Sequence, residues 1–163
     1  MNTDVQRDIS TVSLLLADPS HAARIAALHH IVFRSETPSS AIQDLLSDSG
    51  AMAFMATSAG AKTLVGYVMG RIAGDDAEIL WVGVDTPWRK CGVGSLLLRG
   101  FERAAANVDV RRIVFEVAVD NEAALALYKK AGFDRVGTRD GYYQRSDGDQ
   151  VDAAVLAKAV AKS

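Results

Sequence analysis

Ala77-Glu78-Ile79-Leu80-Trp81-Val82-Gly83-Val84, then Arg89-Lys90-Cys91-Gly92-Val93-Gly94, then Ser95-Leu96-Leu97-Leu98-Arg99-Gly100-Phe101-Glu102: this run decides the fold, because its periodicity changes along its length. Its first part is a short apolar run of the kind that forms a buried strand. From Val93 onward apolar residues recur at helical spacing. The chain therefore turns from strand to helix at 89–94. The first N–H groups of a helix have no partner within it and sit at the positive end of its dipole. Glycines at 92 and 94 remove side chains that would hold a ligand off that backbone, and Arg89 and Lys90 add positive charge. A phosphate fits such a junction. So does a plain glycine-rich connection with two solvated cations, and the motif alone does not separate the two.

Two familiar phosphate loops serve as comparisons. A P-loop requires Gly-Lys-Ser or Gly-Lys-Thr, and the chain contains neither. A dinucleotide turn of the Rossmann kind requires a third glycine where Leu97 stands, although Glu116 follows at about the 20-residue spacing of the ribose-binding acid. That acid belongs at the end of its strand, whereas Val117-Ala118-Val119 continue beyond Glu116. The Rossmann alternative is weakened and stays open.

Outward from the junction, Ile9–Ala17 reads as a strand, Pro19–Phe33 as an amphipathic helix, and Ala41–Leu46 as a short helix introduced by Ser39-Ser40. Strands are expected over Ala51–Thr57, Leu64–Ala73 and Ala77–Val84, separated by the turn-like Ser58-Ala59-Gly60-Ala61 and Gly74-Asp75-Asp76. After the helix come a strand over Arg112–Val119, a helix over Asn121–Ala131, and strands over Phe133–Gln144 and Gln150–Lys158 joined at Ser146-Asp147-Gly148-Asp149. Early hairpins followed by strand-helix-strand crossovers give an α+β architecture, a mixed sheet with helices on its faces. The 163 residues, 49% hydrophobic and 23% charged, suit one domain over 1–163.

Arg-x-x-Gly-x-Gly at a strand-to-helix junction resembles the pyrophosphate loop of the GCN5-related N-acetyltransferase (GNAT) family. Further on, Phe115-Glu116-Val117-Ala118-Val119-Asp120-Asn121-Glu122-Ala123-Ala124-Leu125-Ala126-Leu127-Tyr128-Lys129-Lys130-Ala131-Gly132-Phe133 resembles that family's second signature. Tyr142-Tyr143, the Asp147-Gly148 turn and Asp152-Ala153 extend the likeness toward the ribosomal-protein-alanine (RimI-type) branch. The resemblance implies the GNAT acyl-CoA N-acyltransferase fold, a mixed and mostly antiparallel twisted sheet with helices on both faces. It implies acetyl-CoA as acetyl donor, no metal, and a protein or peptide N-terminus as acceptor, with a ribosomal protein as the branch's example. Arg89, Lys90, Cys91, Gly92, Val93, Gly94 and Ser95 would then hold the diphosphate. The main chain around Val82 to Val84 would pair with the pantetheine arm, and an N–H of Val84 or a neighbour would stabilise the oxyanion.

Glu116 is the one charge in the apolar run 113–119, where a lone carboxylate is costly. It reads either as a general base or as a structural ion pair or water-facing edge residue. One carboxylate suffices for an α-amine. With a reference pKa of about 7.7 to 8.0, neutralising that amine near pH 7.4 costs about 0.4 to 0.8 kcal/mol, against about 4 kcal/mol for a lysine. Tyr128 shares a helix face with Ala124, Leu127 and Ala131, so a packed core tyrosine is its plain reading. In the family the matching hydroxyl protonates the departing thiolate, which makes Tyr128 the implied general acid. Asn121 is the implied cofactor contact, leaving Asp120 as the expected helix cap.

The acceptor site is built in the family from the segment between the first two helices and from the last hairpin. Here Arg34-Ser35-Glu36-Thr37-Pro38-Ser39 lacks the tryptophan usual in the ribosomal branch. Glu36 is a candidate for a cationic acceptor residue or a solvated loop charge. Tyr142 and Tyr143 are candidate pocket walls; on a strand they face opposite sides, so at most one of them is expected to reach the amine. Cys91 is the sole cysteine and lacks a nearby catalytic histidine, so it reads as a loop residue. His21, His29 and His30 have no completing ligand set for a metal and read as surface or half-buried side chains. A net charge of −2, from 18 basic and 20 acidic residues, argues against general attraction to nucleic acid or an anionic membrane. A polar start, Met1 to Asp8, without a long apolar segment makes the cytoplasm the expected compartment. Two alternatives stand beside protein N-terminal acetylation: acetylation of a small-molecule amine, and a non-enzymatic acyl-CoA or dinucleotide-binding module.

Overall fold

A computed structural model of the chain describes residues 7–60, 62–144 and 148–161. Ala61, the segment 1–6 and the Ser146-Asp147 half of the last turn lie outside the described residues. The elements run β1 (Ser13–Leu16), α1 (Ala22–Phe33), α2 (Ser39–Ser47), β2 (Ala51–Ser58), β3 (Thr63–Ala73), β4 (Asp76–Val84), α3 (Val93–Ala106), β5 (Arg112–Ala118), α4 (Glu122–Lys130), β6 (Asp134–Gln144) and β7 (Gln150–Ala159). Seven strands form one sheet in the order β1-β2-β3-β4-β5-β7-β6. The pairs are antiparallel except β4 with β5, which are joined in parallel by the crossover through α3. The fold is the expected α+β sheet with helices on both faces.

Strand alternation divides the core. Val68, Ile79, Ile113 and Phe115 point to one face, where Leu97, Phe101 and Tyr128 of α3 and α4 pack on them. Met55, Tyr67 and Met69 point to the other, under Ile25 and Ile42 of α1 and α2. Each fully buried side chain such as Leu97 or Phe101 contributes roughly 1.5–3 kcal/mol. α3 lies close to the sheet because β3 carries Gly70 beneath it. A Cβ there would come within 2.6 Å of the Phe101 ring.

The expected strand over Ile9–Ala17 is only partly realised. The Asp8 carboxylate accepts the Ser10 N–H at 2.9 Å, and Ile9–Thr11 closes into a 3₁₀ turn before β1 begins at Ser13. The histidine expectation also needs correction. His29 is buried on α1, hydrogen-bonded through Nδ1 to the Tyr67 hydroxyl and edge-on to Trp81. Helical spacing gives α1 a buried face at Ile25, Ala26 and His29, and Tyr67 supplies the partner that a buried imidazole needs.

Burial raises the pKa of both Tyr67 and Tyr128, so the folded chain keeps these protons where unfolded tyrosines lose them. Their contribution is fully present below about pH 10 and is lost as pH rises from there toward the folded values. Each tyrosine changes stability by about 1.4 kcal/mol per pH unit in that window. Urea midpoints are therefore expected to fall steeply above pH 10. The double variant Tyr67→Phe, Tyr128→Phe is expected to lose most of this excess slope, and an unchanged slope would show that other groups cause it.

Candidate active site

Between β4 and β5 the sheet opens. Their parallel pairing runs from Asp76 opposite Arg112 to Ile79 opposite Phe115 and stops there. At the same level β4 carries an extra residue. Met69 pairs with Trp81 but Gly70 pairs with Ile79, which leaves Leu80 as a bulge. Bulges bend a strand and increase its twist, which accounts for the divergence. β5 continues alone on that side, paired through Ala118 with β7.

The open edge of β4 presents main-chain groups to this gap. The Asp85 N–H bonds to the Val65 carbonyl at 2.8 Å, so Gly83 and Trp81 are the next residues of β4 whose main chain faces β3. Alternation turns the N–H and C=O of Val82 and Val84 the other way, into the gap. One of those acceptors is engaged, since the Arg89 Nε–H donates to the Val84 carbonyl at 3.4 Å. Arg89 thus ties the loop to the end of β4.

That loop ends in the cradle. Lys90 and Gly92 both adopt left-handed backbone, with φ of 61° and 94°. Gly92 takes this conformation without a Cβ penalty and caps α3. The first bond of α3 runs from the Leu96 N–H to the Gly92 carbonyl, leaving the N–H groups of Val93, Gly94 and Ser95 without intrahelical acceptors. Gly94 serves a second purpose that spacing alone does not reveal. A Cβ on it would sit 3.0 Å from Leu127 Cδ2, so its absence lets α3 and α4 converge here. Cys91 is half-buried with its Sγ 3.3 Å from the Arg89 carbonyl.

Glu116 and Tyr128 approach the gap from opposite faces of the sheet. Along β5, Ile113, Phe115 and Val117 are buried, and Val114 and Glu116 alternate to the face away from α3. There Glu116 lines a cleft of about 260 Å³ together with Glu78, Leu80, Val114, Tyr142 and Tyr143. Tyr128 lies on the α3 side, 4% exposed, its ring edge-on to Phe115 with centroids 4.7 Å apart. Desolvation, with the neighbouring Tyr143 as a second cause, pushes its pKa up, so the hydroxyl stays protonated at neutral pH. Tyr143 joins the two sides: its hydroxyl donates to the Glu116 carbonyl at 3.1 Å. A second cavity, of about 300 Å³ beside Ile113 and Lys158, is remote from these residues and is bridged by the Lys158–Glu102 ion pair.

Two sequence expectations change. Tyr142 and Tyr143 do not face opposite sides. Arg139 pairs with Ala153 and Tyr143 with Val151, so Asp140, Gly141 and Tyr142 bulge opposite Asp152 alone. Gly141 is left-handed, its N–H held by the Asp152 carboxylate at 2.8 Å, and both tyrosine rings turn to the cleft, 4.9 Å apart. Asn121, not Asp120, caps α4, its Oδ1 accepting the Ala124 N–H at 3.2 Å. For Glu116 the ion pair left open by the sequence is present, with Arg139 Nη1 3.1 and 3.3 Å from its two carboxylate oxygens. Nothing in the strand's two-residue period signals Arg139. Glu36 is exposed in the loop after α1 and forms no ion pair among the described residues. Among those residues no three of His, Cys, Asp and Glu gather as a metal site, and no helix is long and apolar enough to cross a membrane.

Since Asn121 fills a cap, Asn121→Ala is expected to destabilise the fold by about 0.5–2 kcal/mol, with Asn121→Asp close to wild type. Denaturant unfolding reads this, and equal stability of all three proteins would remove the cap from the account.

The strand-to-helix cradle, the splayed parallel pair and the carboxylate and phenol on either side define an acyl-CoA N-acyltransferase architecture. Residues 20–133 match the Acetyltransferase (GNAT) family, and the chain belongs to that family. It is 40% identical over 94 residues to the N-alpha-acetyltransferase RimI of Mycobacterium tuberculosis, covering 53% of this chain and 56% of that protein. It is 29% identical over 94 residues to the ribosomal protein bS18-alanine N-acetyltransferase of Escherichia coli, covering 58% and 63%. The chain thus spans little more than half the length of these two relatives. The crystal structure of the Escherichia coli ribosomal-protein-S18-alanine N-acetyltransferase has the same fold, with a TM-score of 0.83 at 20% identity, covering 93% of this chain and 96% of that one. Arabidopsis thaliana NAA60 in complex with a bisubstrate analogue gives 0.81 at 19% identity, covering 94% and 100%.

Proposed function

We propose that this chain is a single-domain acetyl-CoA-dependent N-acetyltransferase, residues 1–163, acting in the cytoplasm on the α-amine of a protein N-terminus, with an alanine-led ribosomal protein as the model acceptor. The observation that carries this reading is the gap beyond Ile79 and Phe115, flanked by Glu116 on one face and Tyr128 on the other. Donor and acceptor can then enter from opposite sides and meet without a covalent enzyme intermediate. The names of the relatives above support the choice of acceptor.

The residues fit an acyl-CoA. Free N–H groups of Val93 to Ser95 suit a diphosphate, and the outward main chain of Val82 and Val84 suits the amides of a pantetheine arm. When bound, acetyl-CoA supplies an activated thioester carbonyl and a thiolate leaving group. On the protein side, Glu116 accepts the proton of the attacking amine, a β4 N–H stabilises the carbonyl oxygen, and Tyr128 donates its phenolic proton to the sulfur. Tyr142 and Tyr143 wall the acceptor side, with Glu36 a more distant candidate for a cationic residue of the peptide. No step calls on a metal.

Thiol release tests the reading. An alanine-led peptide is expected to turn over with acetyl-CoA, and polyamines and aminoglycosides are not. The reverse pattern would select a small-molecule acetyltransferase, and acyl-CoA binding without transfer to any amine would select a binding module.

A further inference from the structure

The Arg139 guanidinium, set by the β6 bulge, straddles the Glu116 carboxylate, and we propose that Arg139 is a positioning residue that fixes this carboxylate for catalysis. The proposal rests on the reading of Glu116 as the base.

The contacts close a ring. Arg139 Nη1 reaches both Glu116 oxygens, at 3.1 and 3.3 Å. The guanidinium carbon lies 4.3 Å from the centroid of the Tyr142 ring, a cation–π distance. Tyr142 meets Tyr143 edge-on at 4.9 Å, and the Tyr143 hydroxyl donates to the Glu116 main-chain carbonyl at 3.1 Å. Main chain and side chain of one residue are thus held by Tyr143 and Arg139 of β6, with Tyr142 packed between those two. All three hang on the bulge at 140–142, with its left-handed Gly141 pinned by Asp152.

A structural salt bridge alone would be a weak reason for this ring. The Arg139 side chain is 57% exposed and that of Glu116 27%, and exposed pairs contribute little to stability. Orientation is another matter. A glutamate side chain has several rotamers, and an open cleft does not select one. A carboxylate offers about four lone-pair sites. A single nitrogen placed between the two oxygens occupies the inner pair and leaves the outer site of each oxygen free for an amine proton. Arg139 therefore restrains Glu116 without blocking it.

Four variants measured together test the proposal: Arg139→Ala, Arg139→Met, Arg139→Lys and Glu116→Gln, with Arg139→Ala also made in the Glu116→Gln background. Arg139→Ala and Arg139→Met are expected to lower kcat about tenfold, as misplacement of a catalytic group does. The KM for peptide and the calorimetric Kd for coenzyme A are expected to stay within twofold. Lysine should recover most of the loss, and in the Glu116→Gln background Arg139→Ala should change kcat less than twofold. Wild-type kcat in Arg139→Ala would overturn the proposal, as would a tenfold further loss in the glutamine background or a matching loss of coenzyme A affinity. Wild-type kcat in Glu116→Gln alone would instead overturn the base assignment, and the proposal with it.

Discussion

Replacing Glu116 by glutamine is expected to lower kcat about 10²-fold at neutral pH, with the affinity for acetyl-CoA unchanged. Glutamine preserves the shape of the side chain and still accepts from Arg139, but it cannot take a proton. The size of the loss does not come from generating the free amine, which costs less than about 1 kcal/mol for an α-amine. It comes from the attack itself. As nitrogen bonds to carbon it becomes positively charged and must shed a proton, and a positioned carboxylate accepts it in the transition state. The residual rate of the variant should climb as the free-amine fraction grows and level off above about pH 8. A rate still climbing toward pH 10 would indicate a lysine-like acceptor, and an undiminished kcat would remove Glu116 from the reaction.

Tyr128→Phe is expected to lower kcat by a similar factor, about 10²-fold, because the thiolate would leave without a proton donor. The variant is a clean one. The ring contacts with Phe115 and Phe133 are retained, and no described residue is hydrogen-bonded to the hydroxyl, so melting temperature should move little. Desolvation keeps this phenol protonated, so wild-type activity should show no alkaline limb from Tyr128 below about pH 10. Stopped-flow thiol release checks the rate, and calorimetry with coenzyme A checks that binding survives. A variant with full turnover would show that solvent or another group protonates the sulfur.

Much of the fold is legible in the sequence, for reasons visible in particular residues. Buried strands and one amphipathic helix give strong periods, and the change of period at 89–94 marked both the crossover and the cradle. Glu116 stood out because a charge interrupts an apolar strand. The features that the sequence does not signal share one physical cause: irregularity erases period. Leu80 looks like any apolar strand residue, yet it is the bulge at the level where the sheet opens. At 140–142 a second bulge re-phases β6, so Tyr142 and Tyr143 point together and Arg139 reaches a carboxylate two strands away. Local competition hid the rest. Asp120 and Asn121 are both good caps in sequence, and only the observed backbone selects Asn121. His29 carries a polar side chain on a helix face, and its burial depends on Tyr67 arriving from β3.

The central claim is that a thioester anchored by the α3 cradle lies in the gap between Glu116 and Tyr128. A crystal structure with coenzyme A joined through its sulfur to an alanine-led peptide tests this directly. The diphosphate should bond to the N–H groups of Val93 to Ser95, with the sulfur within hydrogen-bond reach of the Tyr128 hydroxyl and the peptide nitrogen on the Glu116 side against Tyr142 and Tyr143. A diphosphate bound away from the cradle, or a sulfur on the same face as the peptide and out of reach of Tyr128, would contradict it.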